Sequence, residues 1–365
     1  MSIYITFYSG VGSVTGANFL LELSKDNQSQ RSTKILVDCG LIQGDRVAQA
    51  RNREKFAYDP KDIDMLFVTH AHLDHVGRIP KLVKDGFTGV IYSTEETMKL
   101  AELILTDALS LLSRDAIKDG LEALYEKDDM IKAFSLWRTI PYYTETNIEL
   151  NDDSQLTVYL KDAGHILGSS MIQFKYNNKN ILFTGDLGNS PTPLLRDTDS
   201  ISGSEYIVME SVYGDRNHES KEERENKLKD IINNTMARGG TLVIPAFSLE
   251  RTQVILYEIN KLVESKSIPQ VPVFMDSPLA IKVTDIYKNS IDLFNERARG
   301  EISGGDDIFN FPKLSFTVSS EDSKTIDHTK SPKIIIAGSG MSVGGRVIHH
   351  EEMYLPDSKN TILLV

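Results

Sequence analysis

The sequence predicts an α/β protein of two domains, and three observations carry that expectation. Short apolar, partly β-branched runs such as Met65-Leu66-Phe67-Val68 recur through the first part and end in His, Asp and Gly. Beyond residue 212 the texture changes to strands alternating with helices, the pattern of parallel βαβ units. The 365 residues, 40% hydrophobic and 25% charged, suffice for one large or two medium cores. The expected division is a first domain over 1–211, a second over 212–348, and a return into the first over 349–365.

Residues 3–7 and 19–23 read as strands joined by the Gly-rich loop 9–16. That loop does not precede a helix, so it fails as a dinucleotide or phosphate loop. Residues 27–31 are polar, a hairpin tip. Residues 34–38 form a further strand ending in the tight loop 39–44. A helix is expected over 94–112, where Met98, Leu100, Ala101, Leu103, Ile104, Ala108 and Leu111 recur at helical spacing. Glu95 and Glu96 sit favourably in its first turn. A weaker helical signal continues to Trp137. Strands follow at 156–160, 181–183 and 206–209. The second domain opens with a charged helix over 219–237, stopped by Gly239-Gly240. Then come a strand at 241–245, a helix at 249–264, a strand at 271–275, a helix from Ser277 to about residue 289 and a strand at 333–337.

Chemistry concentrates at the end of the strand at 65–68. Within six residues come His70, His72 and His75 with Asp74, three of only eight His in the chain. Imidazole and carboxylate are the borderline ligands zinc prefers. His70 and His72 lie two apart, on one side of an extended segment, while Asp74 and His75 point at a neighbouring spot. Two later strands deliver His165 and Asp186, each beside a Gly that lets backbone approach closely. Singly, each would be a core histidine and a turn cap. Together with the first cluster they complete a set of four imidazoles and two carboxylates.

Composition limits the alternatives. The single Cys39 excludes a disulfide framework or a Cys-based zinc finger within the chain and reads as a small buried hydrophobe. No apolar run reaches membrane-spanning length, and the amino terminus lacks a leader pattern, so a cytoplasmic protein with no membrane partner is expected. The net charge of −12 opposes polyanion binding, which then demands a local cationic site.

His70-Ala71-His72-Leu73-Asp74-His75 resembles the metal-binding signature of the metallo-β-lactamase superfamily, a fold of two stacked sheets flanked by helices. Four later motifs narrow the resemblance. They are Glu210-Ser211-Val212-Tyr213-Gly214-Asp215-Arg216, Pro245-Ala246-Phe247-Ser248-Leu249-Glu250-Arg251-Thr252-Gln253, Asp276-Ser277-Pro278-Leu279-Ala280, and Ala337-Gly338-Ser339-Gly340-Met341 with Gly344-Gly345-Arg346-Val347-Ile348-His349-His350. They are similar to the β-CASP cassette, an α/β domain with a parallel sheet inserted into the αββα sandwich. Members of that branch are RNA and DNA nucleases, including the endonuclease that cuts pre-mRNA 3′ ends.

The resemblance implies two zinc ions, one on His70, His72, His165 and Asp186, the other on Asp74, His75 and the second oxygen of a bridging Asp186. Two metals about 3.5–4 Å apart clamp the attacking and leaving oxygens of a phosphodiester. It implies a zinc-dependent phosphodiester hydrolase, a ribonuclease of endonuclease type, with metal-bound hydroxide as nucleophile. His350 is expected to be the general acid and Glu210 to orient it, with His349 the alternative acid. Arg346 with the backbone of Gly338–Gly345, Ser339 and Gly345 included, is expected to cradle a phosphate. Ser277 is a substrate contact or, equally, a helix cap. His218 and His328 are expected at the surface.

One departure shapes the remaining expectations. The family brings a further His to the second zinc from a later loop, and here no His is left over. The expectation is a shortened sandwich with its C-terminal part absent, a second metal weakly held or missing, and an exposed sheet edge that could pair two chains as a homodimer. Single-stranded RNA is the expected partner, with DNA the alternative. The rival readings are an ester or thioester hydrolase and an inactive scaffold.

Overall fold

The computed structural model describes residues 2–24, 32–44, 46–216 and 220–365. The hairpin tip expected at 27–31 and His218 lie outside the described residues. The chain divides into two compact units, Met1–Ser190 with Asp197–Gly214, and Pro191–Arg196 with Asp215–Val365.

The first unit carries two sheets. One is β1 (Ser2–Ser9), β2 (Asn18–Ser24), β3 (Thr33–Val37), β4 (Met65–Phe67), β5 (Val90–Ser93) and β6 (Trp137–Thr139), ordered as numbered. The other is β7 (Thr146–Glu149), β8 (Gln155–Asp162), β9 (Ser170–Tyr176), β10 (Lys179–Phe183) and β11 (Tyr206–Val208), again in sequential order. β4 pairs in parallel with both β3 and β5 and is buried throughout, which is why its sequence is a continuous apolar run. β8 alternates instead, with Leu156, Val158, Leu160 and Asp162 buried and the residues between them more exposed. Inward residues of both sheets share one core, in which Phe67 meets Phe174 edge to face at 5.0 Å.

The helix Glu95–Asp119 is capped by Thr94, whose hydroxyl accepts from the Thr97 N–H at 3.2 Å. The weak helical signal beyond it resolves into a separate helix, Lys127–Ser135, and Trp137 opens β6. Cys39 is fully buried, and burial pushes its thiol to about 11, in keeping with a small hydrophobe. No helix among the described residues is long and apolar enough to cross a membrane.

The second unit is a five-stranded, all-parallel sheet in the order β14 (Leu314–Phe316), β13 (Val273–Asp276), β15 (Lys333–Ala337), β12 (Thr241–Pro245) and β16 (Thr361–Ile362). Helices connect the strands, as the alternating texture predicted. Two placements differ from expectation. Residues 349–365 do not leave this unit: the helix Val347–Tyr354 packs on β12, and β16 extends the sheet beside it, pairing Leu242 with Thr361. Its two residues are too short to signal a sheet of their own. Pro191–Arg196 also belongs here, because Leu195 bridges Phe294 and the Arg196 N–H donates to the Leu293 carbonyl.

Candidate metal centre

Four turns and a short helix of the first unit converge on one spot. β4 ends in Val68 to His72, and the short helix Leu73–Val76 carries Asp74 and His75. The turn after β8 holds His165, the turn after β10 holds Asp186, and the turn after β3 holds Asp38. These turns are laced by backbone. Ala17 donates to the Asp74 carbonyl, Cys39 to His75 and Leu41 to Leu73, each at 2.8 Å. Gly40 is required there, since a Cβ would lie 1.5 Å from the Asp74 carbonyl oxygen. Gly185, at φ +56°, sets Asp186 beside Thr69, whose side chain a Cβ would approach to 2.7 Å.

The donor atoms are tightly grouped. His72 Nδ1 lies 3.2 Å from His70 Nε2 and 3.1 Å from His165 Nε2. Asp186 Oδ2 lies 3.7 Å from the Nε2 atoms of both His70 and His165. A tetrahedral ion bound at about 2.0–2.1 Å would separate its ligands by about 3.3–3.4 Å, so the four atoms match that polyhedron. Next to it, His75 Nε2 lies 3.3 Å from Asp186 Oδ1 and 3.9 Å from Asp74 Oδ2. The two groups, His70 with His72, His165 and Asp186, and Asp74 with His75 and Asp186, share the Asp186 carboxylate.

Hydrogen bonds fix which nitrogens face inward. Asp38 accepts the Thr69 N–H and hydroxyl, both at 2.8 Å, and lies 2.7 Å from His75 Nδ1. With the Thr69 proton committed to Asp38, His70 Nδ1 donates to the Thr69 oxygen at 3.0 Å, and its Nε2 lone pair points into the cluster. Likewise His75 donates from Nδ1 to Asp38 and turns Nε2 inward. His70 Nε2, His72 Nδ1, His165 Nε2 and Asp186 Oδ2 lie close enough to share one cation, and that fits these residues to a metal.

Electrostatics agree. Burial, then the neighbouring imidazoles His75, His165 and His72, hold His70 well below its usual range. Burial brings His72 to about 4. Both are therefore neutral, the form that ligates. Burial works against charge on Asp186, but the hydrogen bond and charge of His75 outweigh it and bring the carboxyl to about 2. Burial also opposes charge on His75, yet Asp38 and Asp186 raise it; a proton and a divalent ion compete for that site.

A model of the metallo-β-lactamase superfamily matches residues 29–233, and one of the β-CASP domain matches residues 252–365. The chain belongs to the metallo-β-lactamase superfamily. Within it the chain carries a β-CASP domain, and that domain together with ribonuclease relatives supports a metal-dependent hydrolase of the nuclease kind. It is 32% identical to Ribonuclease TTHA0252 of Thermus thermophilus, over 91% of this chain and 73% of that protein. It is 32% identical to the Transcription termination factor FttA of a Lokiarchaeum species, over 92% of this chain but 52% of that factor. The chain thus spans about half the length of the archaeal factor. A crystal structure of a protein of unknown function from Enterococcus faecalis V583 shares the fold, with a TM-score of 0.52, 15% identity, and coverage of 100% of this chain and 87% of that one.

The β-CASP residues stand differently from the sequence expectation. His350 is fully buried, and its Nε2 lies 2.7 Å from Asp276 Oδ2. A side chain without exposure does not reach a leaving oxygen, and the carboxylate that orients it is Asp276 rather than Glu210. Glu210 accepts instead from the Val212 N–H at 2.8 Å and the Leu187 N–H at 3.4 Å, bracing the turn that follows Asp186. Arg346 is committed to protein, donating to Asp276 Oδ1 at 2.7 Å and to the Thr317 and Val318 carbonyls at 2.9 and 3.0 Å. A guanidinium held by three acceptors is an anchor for its loop, not a free phosphate ligand. Ser277 caps the helix Pro278–Lys288 by accepting from the Ala280 N–H at 3.3 Å. The Ser339 hydroxyl is buried without a partner among the described residues, and Gly345 sits nearby at φ +75°. His349 is exposed and lies 2.9 Å from Asp327, and His328 is exposed at a helix end.

Two residues that bear on these sites went unread in the sequence. Asp38 looked like the end of a strand, although a carboxylate between β-branched residues and Cys-Gly is a signal for a buried acceptor. Asp276 was visible only as part of a motif. Its carboxylate is fully buried and accepts from Thr317, Ser323, His350 and Arg346. Burial opposes its charge, but those hydrogen bonds, His350 first, hold it well below the carboxylate range.

Proposed function

We propose that the chain is a zinc-dependent endoribonuclease acting on single-stranded RNA in the cytoplasm. The observation that carries the reading is the convergence of His70, His72, His165 and Asp186 at separations suited to a tetrahedral ion, with Asp74 and His75 forming a second set on the shared carboxylate. Three imidazoles and a carboxylate favour zinc over the hard, oxygen-seeking cations. Bound there, the metal pair supplies Lewis-acid stabilisation of the phosphoryl oxygens and lowers the pKa of water. Everything else falls to the protein's own groups. His70 and His75 are held as fixed tautomers by Thr69 and Asp38, so their inward nitrogens are aligned before substrate arrives. Asp74, beside His75, accepts a hydrogen bond from the attacking water and orients it. DNA is the weaker alternative substrate.

Labelled single-stranded RNA incubated with the protein, with and without chelator, tests this. Internal cleavage that disappears with chelator and returns with zinc is expected. Cleavage that survives chelation, or none at all with zinc restored, contradicts it.

A further inference from the structure

Three neighbouring strands of the first sheet, β4, β5 and β6, run parallel, with Phe67, Tyr92 and Arg138 in register, so their carboxyl ends lie side by side. Ligands of parallel sheets settle beyond such ends. β4 delivers metal ligands there. β5 and β6 deliver a cleft of about 250 Å³ between the start of the helix Glu95–Asp119 and the segment 139–142. That is just below the range for drug-sized ligands and leaves room for a single base. With strands about 4.7–4.9 Å apart, it lies one to two strand widths from the end of β4. Its walls also hold the turn that carries His165. Thr94 and Thr97 donate from their hydroxyls to the Gly168 carbonyl at 2.7 and 2.8 Å. The Tyr142 hydroxyl donates to the Ser169 carbonyl at 2.7 Å, and the Ser169 hydroxyl accepts the His165 N–H at 3.1 Å. The cleft is therefore beside the metal cluster and includes none of its ligands.

The polar groups that line the cleft are unevenly committed. Glu95 is paired with Lys99 at 2.7 Å. The half-buried Glu96 and the exposed Thr139 hydroxyl have no hydrogen-bond or ion-pair partner among the described residues. Pro141 and Tyr142 supply an apolar side. A carboxylate with both oxygens open accepts two parallel N–H bonds and repels phosphate. Guanine alone among the RNA bases carries two adjacent N–H donors on its pairing edge, at N1 and N2, with the acceptor O6 beside them. Adenine and cytosine set one donor beside an acceptor there, and uracil sets one donor between two acceptors. We infer that the cleft reads a guanine flanking the scissile phosphate, whose N1–H and N2–H donate to Glu96 and whose O6 accepts from the Thr139 hydroxyl. The inference deepens the ribonuclease reading and rests on it for the source of the base; the hydrogen-bonding match does not depend on cleavage.

The test is fluorescence anisotropy of the chelator-treated whole chain with dye-labelled pentauridylates carrying guanosine, inosine or adenosine at the centre. Inosine lacks only the N2 amine, so the guanosine RNA binds about tenfold more tightly than the inosine RNA, and the adenosine RNA binds more weakly still. Glu96→Gln replaces one acceptor by a donor; it removes the guanosine advantage and strengthens the adenosine RNA. A purely structural role for Glu96 would lower all three together. Equal binding of the three RNAs, no binding of any, or a guanosine preference that Glu96→Gln leaves unchanged overturns the inference. With zinc restored, cleavage indifferent to the central base would retire the cleft and leave the nuclease reading standing. Guanosine-selective binding without cleavage would do the reverse.

Discussion

Asp38 Oδ2 lies 2.7 Å from His75 Nδ1, joining residues 37 apart along the chain. The same carboxylate takes both protons that Thr69 offers, and Thr69 in turn fixes His70. One buried acid therefore aligns a ligand in each of the two metal sets. Replacing it with Asn keeps the shape but puts an amide N–H against His75 or Thr69. Asp38→Asn is expected to weaken zinc by about 10–100-fold, read by competition with a chromophoric chelator. Unchanged affinity would remove Asp38 from the account.

The two metal sets are unequal. One has four protein donors and the other three, with Asp186 common to both. Metal content followed through a chelator titration should fall in two steps, the first ion leaving at much lower chelator. His165→Ala abolishes the tighter step, and Asp186→Ala disturbs both. A single step releasing two ions together would contradict the division.

Acid sensitivity of the second unit follows from Asp276. Its folded-state pKa is depressed, so it stabilises the fold fully above the ordinary carboxylate pKa of about 3.9. That contribution is lost as pH falls below about 4 and Asp276 takes up a proton. Asp276→Ala, which strands Arg346 and His350, is expected to cost about 3–5 kcal/mol near neutrality. Urea unfolding of the two proteins at pH 7 and pH 3 checks the sign, because the gap between them should narrow in acid. A gap that widens would be inconsistent with a depressed pKa.

Packing sets a separate scale. Phe174 is fully buried between the sheets of the first unit and touches both Phe67 and Phe183. Phe174→Ala is expected to destabilise by about 3–5 kcal/mol, measured by denaturant unfolding. A loss under about 1 kcal/mol would mean that this core is not the one holding the sheets together.

The cluster of candidate ligands was legible because its signal is local and chemical. Three His and an Asp within six residues need no tertiary information, and His165 and Asp186 stood out beside glycines at strand ends. The parallel sheet was legible because its strands are continuous apolar runs separated by helices. What stayed hidden depends on burial and on partners far apart in sequence. His350 reads as an acid beside a Gly-rich turn, yet its side chain is buried against Asp276, 74 residues earlier. Arg346 reads as a phosphate ligand, yet carbonyls of a segment 28–29 residues away take its protons. β16 is two residues long, and only its pairing with β12 places it.

X-ray absorption at the zinc edge, on protein loaded with one equivalent of zinc, bears most directly on the metal centre. The expected first shell holds three imidazole nitrogens and a carboxylate oxygen near 2.0–2.2 Å, about the usual zinc range, and loses one imidazole in His165→Ala. A shell with fewer imidazoles, or one that His165→Ala leaves unaltered, would show that these turns do not grip a common ion.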